Sequence, residues 1–158
     1  LSEEDLRSST DVFPIKFLDI KRTHVIYRGK DVMSDLEIPR DNLRLRCEQE
    51  IKNLMLRLRL NYVSRKQNSK SIASLLNRIY LSLIRNLGVL VELKSGDVLV
   101  TNSDIIEGAG KLGIDTMALH DVEKLRQDNF SLELGDRKRL LEKVMQCVRD
   151  AAAMADKI

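Results

Sequence analysis

The sequence predicts a mainly α-helical protein, a bundle of about five helices preceded by a short β-hairpin. Three observations predict it. Long stretches place apolar residues three and four apart, the spacing of one helix face. The chain of 158 residues holds only 2 prolines and is 43% hydrophobic with 4% aromatic residues, a composition suited to a packed helical protein rather than a disordered one. One stretch, FPIKFLDIKRTHVIYRGKDV (Phe13 to Val32), stands apart because it carries the strand signals.

Ser2 to Ser9 reads as a short helix opened by a capping box of Ser2 and Asp5. Pro14 to Lys21 reads as a strand, with Ile15, Phe17 and Asp19 on one face and Leu18 and Ile20 on the other. Arg22 and Thr23 turn the chain, and His24 to Tyr27 gives a second strand closed by Gly29. Both faces of the first strand are apolar, and a lone hairpin is marginal in water. The pair therefore predicts further strands elsewhere, and a chain beginning at Leu1 rather than Met reads as a piece of a longer protein.

Asp31 to Leu36 suggests one helical turn. Pro39 suits the first turn of a long helix whose stripe is Leu43, Cys47, Ile51, Leu54, Leu58 and Tyr62. Leu45, Met55, Leu56 and Leu60 widen that stripe and predict burial on more than one side. The helix fades in a polar hinge at Ser64 to Ser69. A second long helix runs from Lys70 to Leu93, with Leu75, Leu76, Ile79, Leu83, Ile84, Leu87, Leu90 and Val91 on its apolar face. Gly88 inside it costs about 1 kcal/mol relative to Ala and predicts close packing. Ser95-Gly96-Asp97 ends it. Asn102 or Ser103 caps a short helix to Gly113, and Asp115 caps another to Gln127. After the Asp128 to Gly135 loop, Asp136 opens a last helix striped by Leu140, Leu141, Val144, Cys147, Val148 and Ala151. The expected division is a strand-bearing remnant over 1–38 and a helical domain over 39–158.

The net charge is mild, 27 − 24 = +3, with its densest basic stretch from Arg40 to Lys66. Nucleic acid is not expected as a partner, because no concentrated basic face is evident. Ser103 to Arg126 has helix-turn-helix spacing, but the start of its second helix offers Asp115, Thr116, Met117 and Ala118 in place of basic residues. An ordinary helical hairpin is the better reading. EGAGKLG (Glu107 to Gly113) lacks the phosphate-loop spacing and reads as a helix end capped by Gly113. His24 and His120 have no second ligand at metal spacing. Cys47 and Cys147 fall on apolar helix faces and read as reduced core thiols. With no apolar run of membrane length, the expectation is a cytoplasmic protein. Asp19 is out of place in an apolar strand. It is a metal-ligand candidate, or it pairs with Arg22 or Lys21, or it sits at an edge.

The Phe13 to Val32 stretch, followed by LEIPRDNLRLRCEQEIKNLMLRLRLNYV, resembles the junction between sheet and helical domain in bacterial nucleotidyltransferase-like proteins of the polymerase-beta type. The resemblance covers Asp11 to about Val91, and the rest only as a pattern of helices. It implies a truncated α+β sheet at the N-terminal side and a helical domain flanking a nucleotide and acceptor cleft. In such proteins a Gly-Ser turn and an Asp-x-Asp pair hold Mg²⁺ on the triphosphate. This chain lacks both motifs and is not expected to catalyse by itself. Mg²⁺ and a nucleoside triphosphate are expected only for an intact protein. Asp19 would stand near the third carboxylate of that set, although Lys16 replaces an acid common in relatives. Arg40, Arg44 and Lys52 would face phosphate or an acidic acceptor. The competing expectation is a non-enzymatic interaction or dimerisation module, with the faces Leu43 to Tyr62 and Leu75 to Val91 burying against a second copy as a homodimer.

Overall fold

The computed structural model describes residues 2–63, 69–127 and 133–158. Seven helices occur among them: α1 (Glu3–Ser8), α2 (Pro14–Thr23), α3 (Arg40–Val63), α4 (Ser69–Ser95), α5 (Asn102–Lys111), α6 (Met117–Gln127) and α7 (Leu134–Ala155). The expected Ser64 to Ser69 hinge and the Asp128 to Gly135 loop lie largely outside the described residues.

The expected β-hairpin is not there; no strand occurs among the described residues. Pro14 to Thr23 is helix α2, with Pro14 in its first turn, where the missing N–H costs nothing. Helical spacing explains the outcome. Ile15 and Leu18, three apart, face the same way; Ile15 is buried and Leu18 packs against the core. A helix closes its backbone hydrogen bonds internally, so this segment needs no neighbouring strands. His24 to Tyr27 is irregular and pairs with no strand, with Val25, Ile26 and Tyr27 exposed. Asp31 to Leu36 is a hydrogen-bonded turn rather than a helix, held by Asp31 Oδ1 accepting from the amides of Met33 and Ser34 at 3.0 Å each.

The centre of the fold is formed by α3, α4 and α7, each packed against the other two. From Leu83 to Leu93 helix α4 is apolar almost all round, as its place requires: α3, α5, α6 and α7 all pack on it. On α3 the stripe Leu43, Cys47, Ile51, Leu54 and Leu58 is buried as its spacing predicts. Of the residues expected to widen the stripe, Met55 packs partly buried against the core, while the others do not. Leu45, Leu56 and Leu60 are exposed, and Tyr62 sits at the rim, its hydroxyl donating to Glu142 of α7 at 2.8 Å. On α7 the buried face runs Leu140, Leu141, Val144, Cys147, Val148, Ala151 and on to Ala155. Ile15 of α2 belongs to the same hydrophobic core as these helices.

The ends are fixed by local chemistry. Ser2 and Asp5 form the capping box of α1, with Asp5 N donating to Ser2 Oγ at 3.1 Å and Ser2 N to Asp5 Oδ2 at 2.8 Å. Gly96 follows α4 with φ +84°, a left-handed conformation that favours glycine. Thr101, one residue earlier than expected, caps α5 by accepting from Asp104 N at 3.1 Å. Gly110 and Lys111 lie at the end of α5, and Gly113 turns the chain toward α6 with φ +87°. The guanidinium of Arg40, at the start of α3, donates to the carbonyl of Leu93 in the last turn of α4. No helix among the described residues is long and apolar enough to cross a membrane.

Candidate functional site

Where α2 and α4 meet the 96–101 connection, the surface opens into a groove of about 430 Å³. The sequence builds it in three steps. Helix α4 carries more apolar residues than its core neighbours cover, so Leu81 remains exposed and Ile84 forms the floor. Gly88 then lets α5 approach: a Cβ there would lie 3.3 Å from Ile105 Cδ1. The connection is apolar, Val98-Leu99-Val100, and runs along the groove with Val98 and Val100 turned to solvent. Leu81, Val98 and Val100 are thus three exposed apolar residues lining one groove, and apolar exposure gathered at a groove marks interaction surfaces.

Another part of the groove's edge is ionic. Asp19 of α2 accepts from Arg85 Nε of α4 at 2.6 Å, and Arg22 of α2 pairs with Glu92 of α4 at 2.5 Å. Partial burial raises the pKa of Asp19, and Glu50 adds to the rise, while the guanidinium groups of Arg85 and Arg22 oppose it. Two helices are clasped by two ion pairs, so the rim as a whole is close to neutral.

Tyr80 forms part of the wall. It is 1% exposed, and its hydroxyl makes no hydrogen bond of good geometry among the described residues. Burial pushes that hydroxyl up to about 12, with the nearby carboxylate of Glu123 adding to the rise, Arg126 opposing it, and Asn102 also close by. On its other side the ring is covered by the Arg126 guanidinium, 4.8 Å from the ring centroid.

The sequence-predicted residues are scattered. Asp19 is on the groove rim, on a helix rather than a strand, bound to Arg85 instead of the anticipated Arg22 or Lys21. Arg40 is spent on the Leu93 carbonyl. Arg44 lies 4.0 Å from Glu48. Lys52 bridges Glu48 at 2.6 Å and Asp156 at 2.7 Å, and both carboxylates raise its pKa. These three cations serve α3 and its ties to α4 and the C-terminus, and they do not converge with Asp19. A Mg²⁺ ion takes several oxygen ligands, whereas Asp19 offers one carboxylate already engaged by a cation, so the residues present do not fit that ion. No group of three or more His, Cys, Asp or Glu side chains placed to hold a metal occurs among the described residues.

Arg85, Tyr80, Leu81 and the Val98 to Val100 connection were not singled out from the sequence as site residues. The signal available was the pair of valines in GDVLVTN, apolar residues between a helix-ending glycine and a capping threonine. No family model, curated protein or solved structure matches the chain.

Proposed function

We propose that this chain is a non-enzymatic helical interaction module whose groove receives an apolar segment of a partner protein. The observation that carries the reading is one groove lined by the exposed apolar residues Leu81, Val98 and Val100, by the buried Ile84 and Ile105, and by Asp19 and Arg85, which neutralise each other as an ion pair. Apolar floors with a few placed polar groups are the usual make-up of recognition grooves. Of the two segments that carried the nucleotidyltransferase resemblance, Phe13 to Val32 forms α2 and an unpaired loop in place of strands, and the other supplies the long helix α3. A second reading, pairing of two copies, is favoured by Leu45, Leu56 and Leu60 exposed along α3.

The test is selection of peptides from a random displayed library on the native chain, repeated on Leu81→Lys and Val100→Lys. Both positions are exposed, so the fold should tolerate lysine there. The module reading expects selected peptides rich in apolar residues that lose about tenfold or more in affinity on either variant, a cost of about 1.4 kcal/mol. Selected peptides indifferent to both changes would refute it. Mg²⁺ with ATP, added to the same chain, is expected to leave the amide resonances around Asp19 and Arg85 unmoved. Sizing chromatography of native and Leu60→Lys chains decides the second reading.

A further inference from the structure

His24 closes α2 and faces oxygen atoms on both sides of its ring. Nδ1 lies 3.0 Å from the Lys21 carbonyl and 3.1 Å from that of Ile20, in the last turn of α2. Nε2 lies 2.9 Å from Asp31 Oδ1. A neutral imidazole has one N–H and one lone pair. If Nδ1 carries the proton, the Nε2 lone pair meets a carboxylate. If Nε2 carries it, the Nδ1 lone pair meets two carbonyl oxygens. Only the imidazolium, with two N–H groups, satisfies every oxygen around it.

We infer that His24 is a pH-operated latch: protonated, it fastens the Asp31 end of the Asp31 to Leu36 turn to the end of α2, and on losing its proton it frees that end, while Lys21 and the buried Leu36 hold the other end in place. Asp31 is the hinge of the arrangement. The same Oδ1 that receives His24 accepts the Met33 and Ser34 amides, so the latch and the turn share one atom. A positive ring at a helix C-terminus is also favoured by the unpaired carbonyls there. The neighbouring charges are otherwise employed. Lys21 Nζ donates to the Leu36 carbonyl at 2.8 Å, Arg22 pairs with Glu92, and Lys30 lies 3.3 Å from Asp35. Asp31 is the charged group that acts on the ring.

The direction of the response follows. The hydrogen bond to Asp31 raises the His24 pKa above its ordinary value, against some loss of solvation, and the Ser34 amide leads the groups that lower that of Asp31. The latch is therefore fastened from the acid range, once Asp31 is ionised, up to the raised His24 value, and loosens as pH rises through it. What it releases is the base of the exposed Val25-Ile26-Tyr27 segment. The inference stands independently of what the groove binds.

The test uses the chain with His120→Gln, which leaves one imidazole to observe. Proton resonances of His24 and hydrogen-exchange protection factors of the Met33 and Ser34 amides are followed from about pH 5.5 to 9, across the range of a perturbed histidine. The expected result is protection falling severalfold with the same midpoint as the His24 titration. Asp31→Asn keeps an oxygen for the two amides but removes the charge. In that variant the midpoint should drop toward about 6.5 and the coupled fall in protection should disappear. Protection that stays level through the His24 titration would overturn the latch, as would a midpoint that Asp31→Asn leaves in place.

Discussion

Asn86 of α4 donates to Glu50 of α3 at 3.2 Å and to its own Ser82 carbonyl at 2.8 Å, while 0% of its surface reaches solvent. Around it the α3–α4 contact is aliphatic. A polar group buried there costs stability unless bonded, and Asn86 Oδ1 is one of two buried side-chain atoms left without a partner among the described residues. Asn86→Ala removes the bonds to Glu50 and to the Ser82 carbonyl and opens a gap in a fully buried position, so it should lower unfolding free energy by about 1–3 kcal/mol. Urea unfolding of the two chains measures it.

Glycines 88 and 108 should respond differently to alanine. At Gly108 an added Cβ would lie 2.6 Å from Leu99 Cδ1 and 3.3 Å from Val91 Cγ1. The gain in helix propensity, up to about 1 kcal/mol, is opposed by an overpacking cost of about 1–3 kcal/mol. At both sites the nearest atom is a side-chain end, but at Gly88 Ile105 Cδ1, at 3.3 Å, need give only slightly, whereas at Gly108 Leu99 must move further and Val91 adds a second close contact. Gly108→Ala should therefore melt below the native chain, and Gly88→Ala close to it. Thermal scans of both resolve the order.

Leu87 and Leu60 are both leucines within long helices, at 0% and 73% exposure. Leu87→Ala should cost about 2–5 kcal/mol, the range for a large-to-small change in a packed core. Leu60→Ala should stay within about 0.5 kcal/mol. Denaturant midpoints at dilute protein concentration decide whether α3 is covered on one side, as found.

Burial pushes both thiols, Cys47 and Cys147, up to about 12. The reactive thiolate is then scarce at about pH 8. Labelling with a chromogenic disulfide should be slow in native buffer and rapid in denaturant, with two thiols released per chain. Prompt labelling of the native chain would contradict the packing at Cys47, whose Sγ donates to the Asn86 carbonyl at 3.4 Å.

The long helices were legible because their stripes repeat many times: five buried positions on α3 and eight on α7 outweigh any local ambiguity. Segment α2 was not legible, for a physical reason. Its ten residues include two Ile, one Phe and one Thr, which suit a strand, and alternate well enough to fit period two. What decides between the periods is tertiary: Ile15 and Leu18 join the core beside α3, and Asp19 finds Arg85, a residue far along the chain on α4. Asp19 looked misplaced in a strand; on a helix it simply faces a cation. The groove was hidden likewise, since Leu81 and Val100 are ordinary apolar residues until the fold leaves them uncovered.

Tyr80 has an optical consequence. The chain contains no tryptophan and three tyrosines, so its near-ultraviolet signal is phenolic throughout. Tyr27 stands free in solvent, whereas Tyr80 is enclosed beneath Arg126 and borders the groove. In alkali Tyr80 should ionise late, and anything settling into the groove should alter its absorbance without an attached dye.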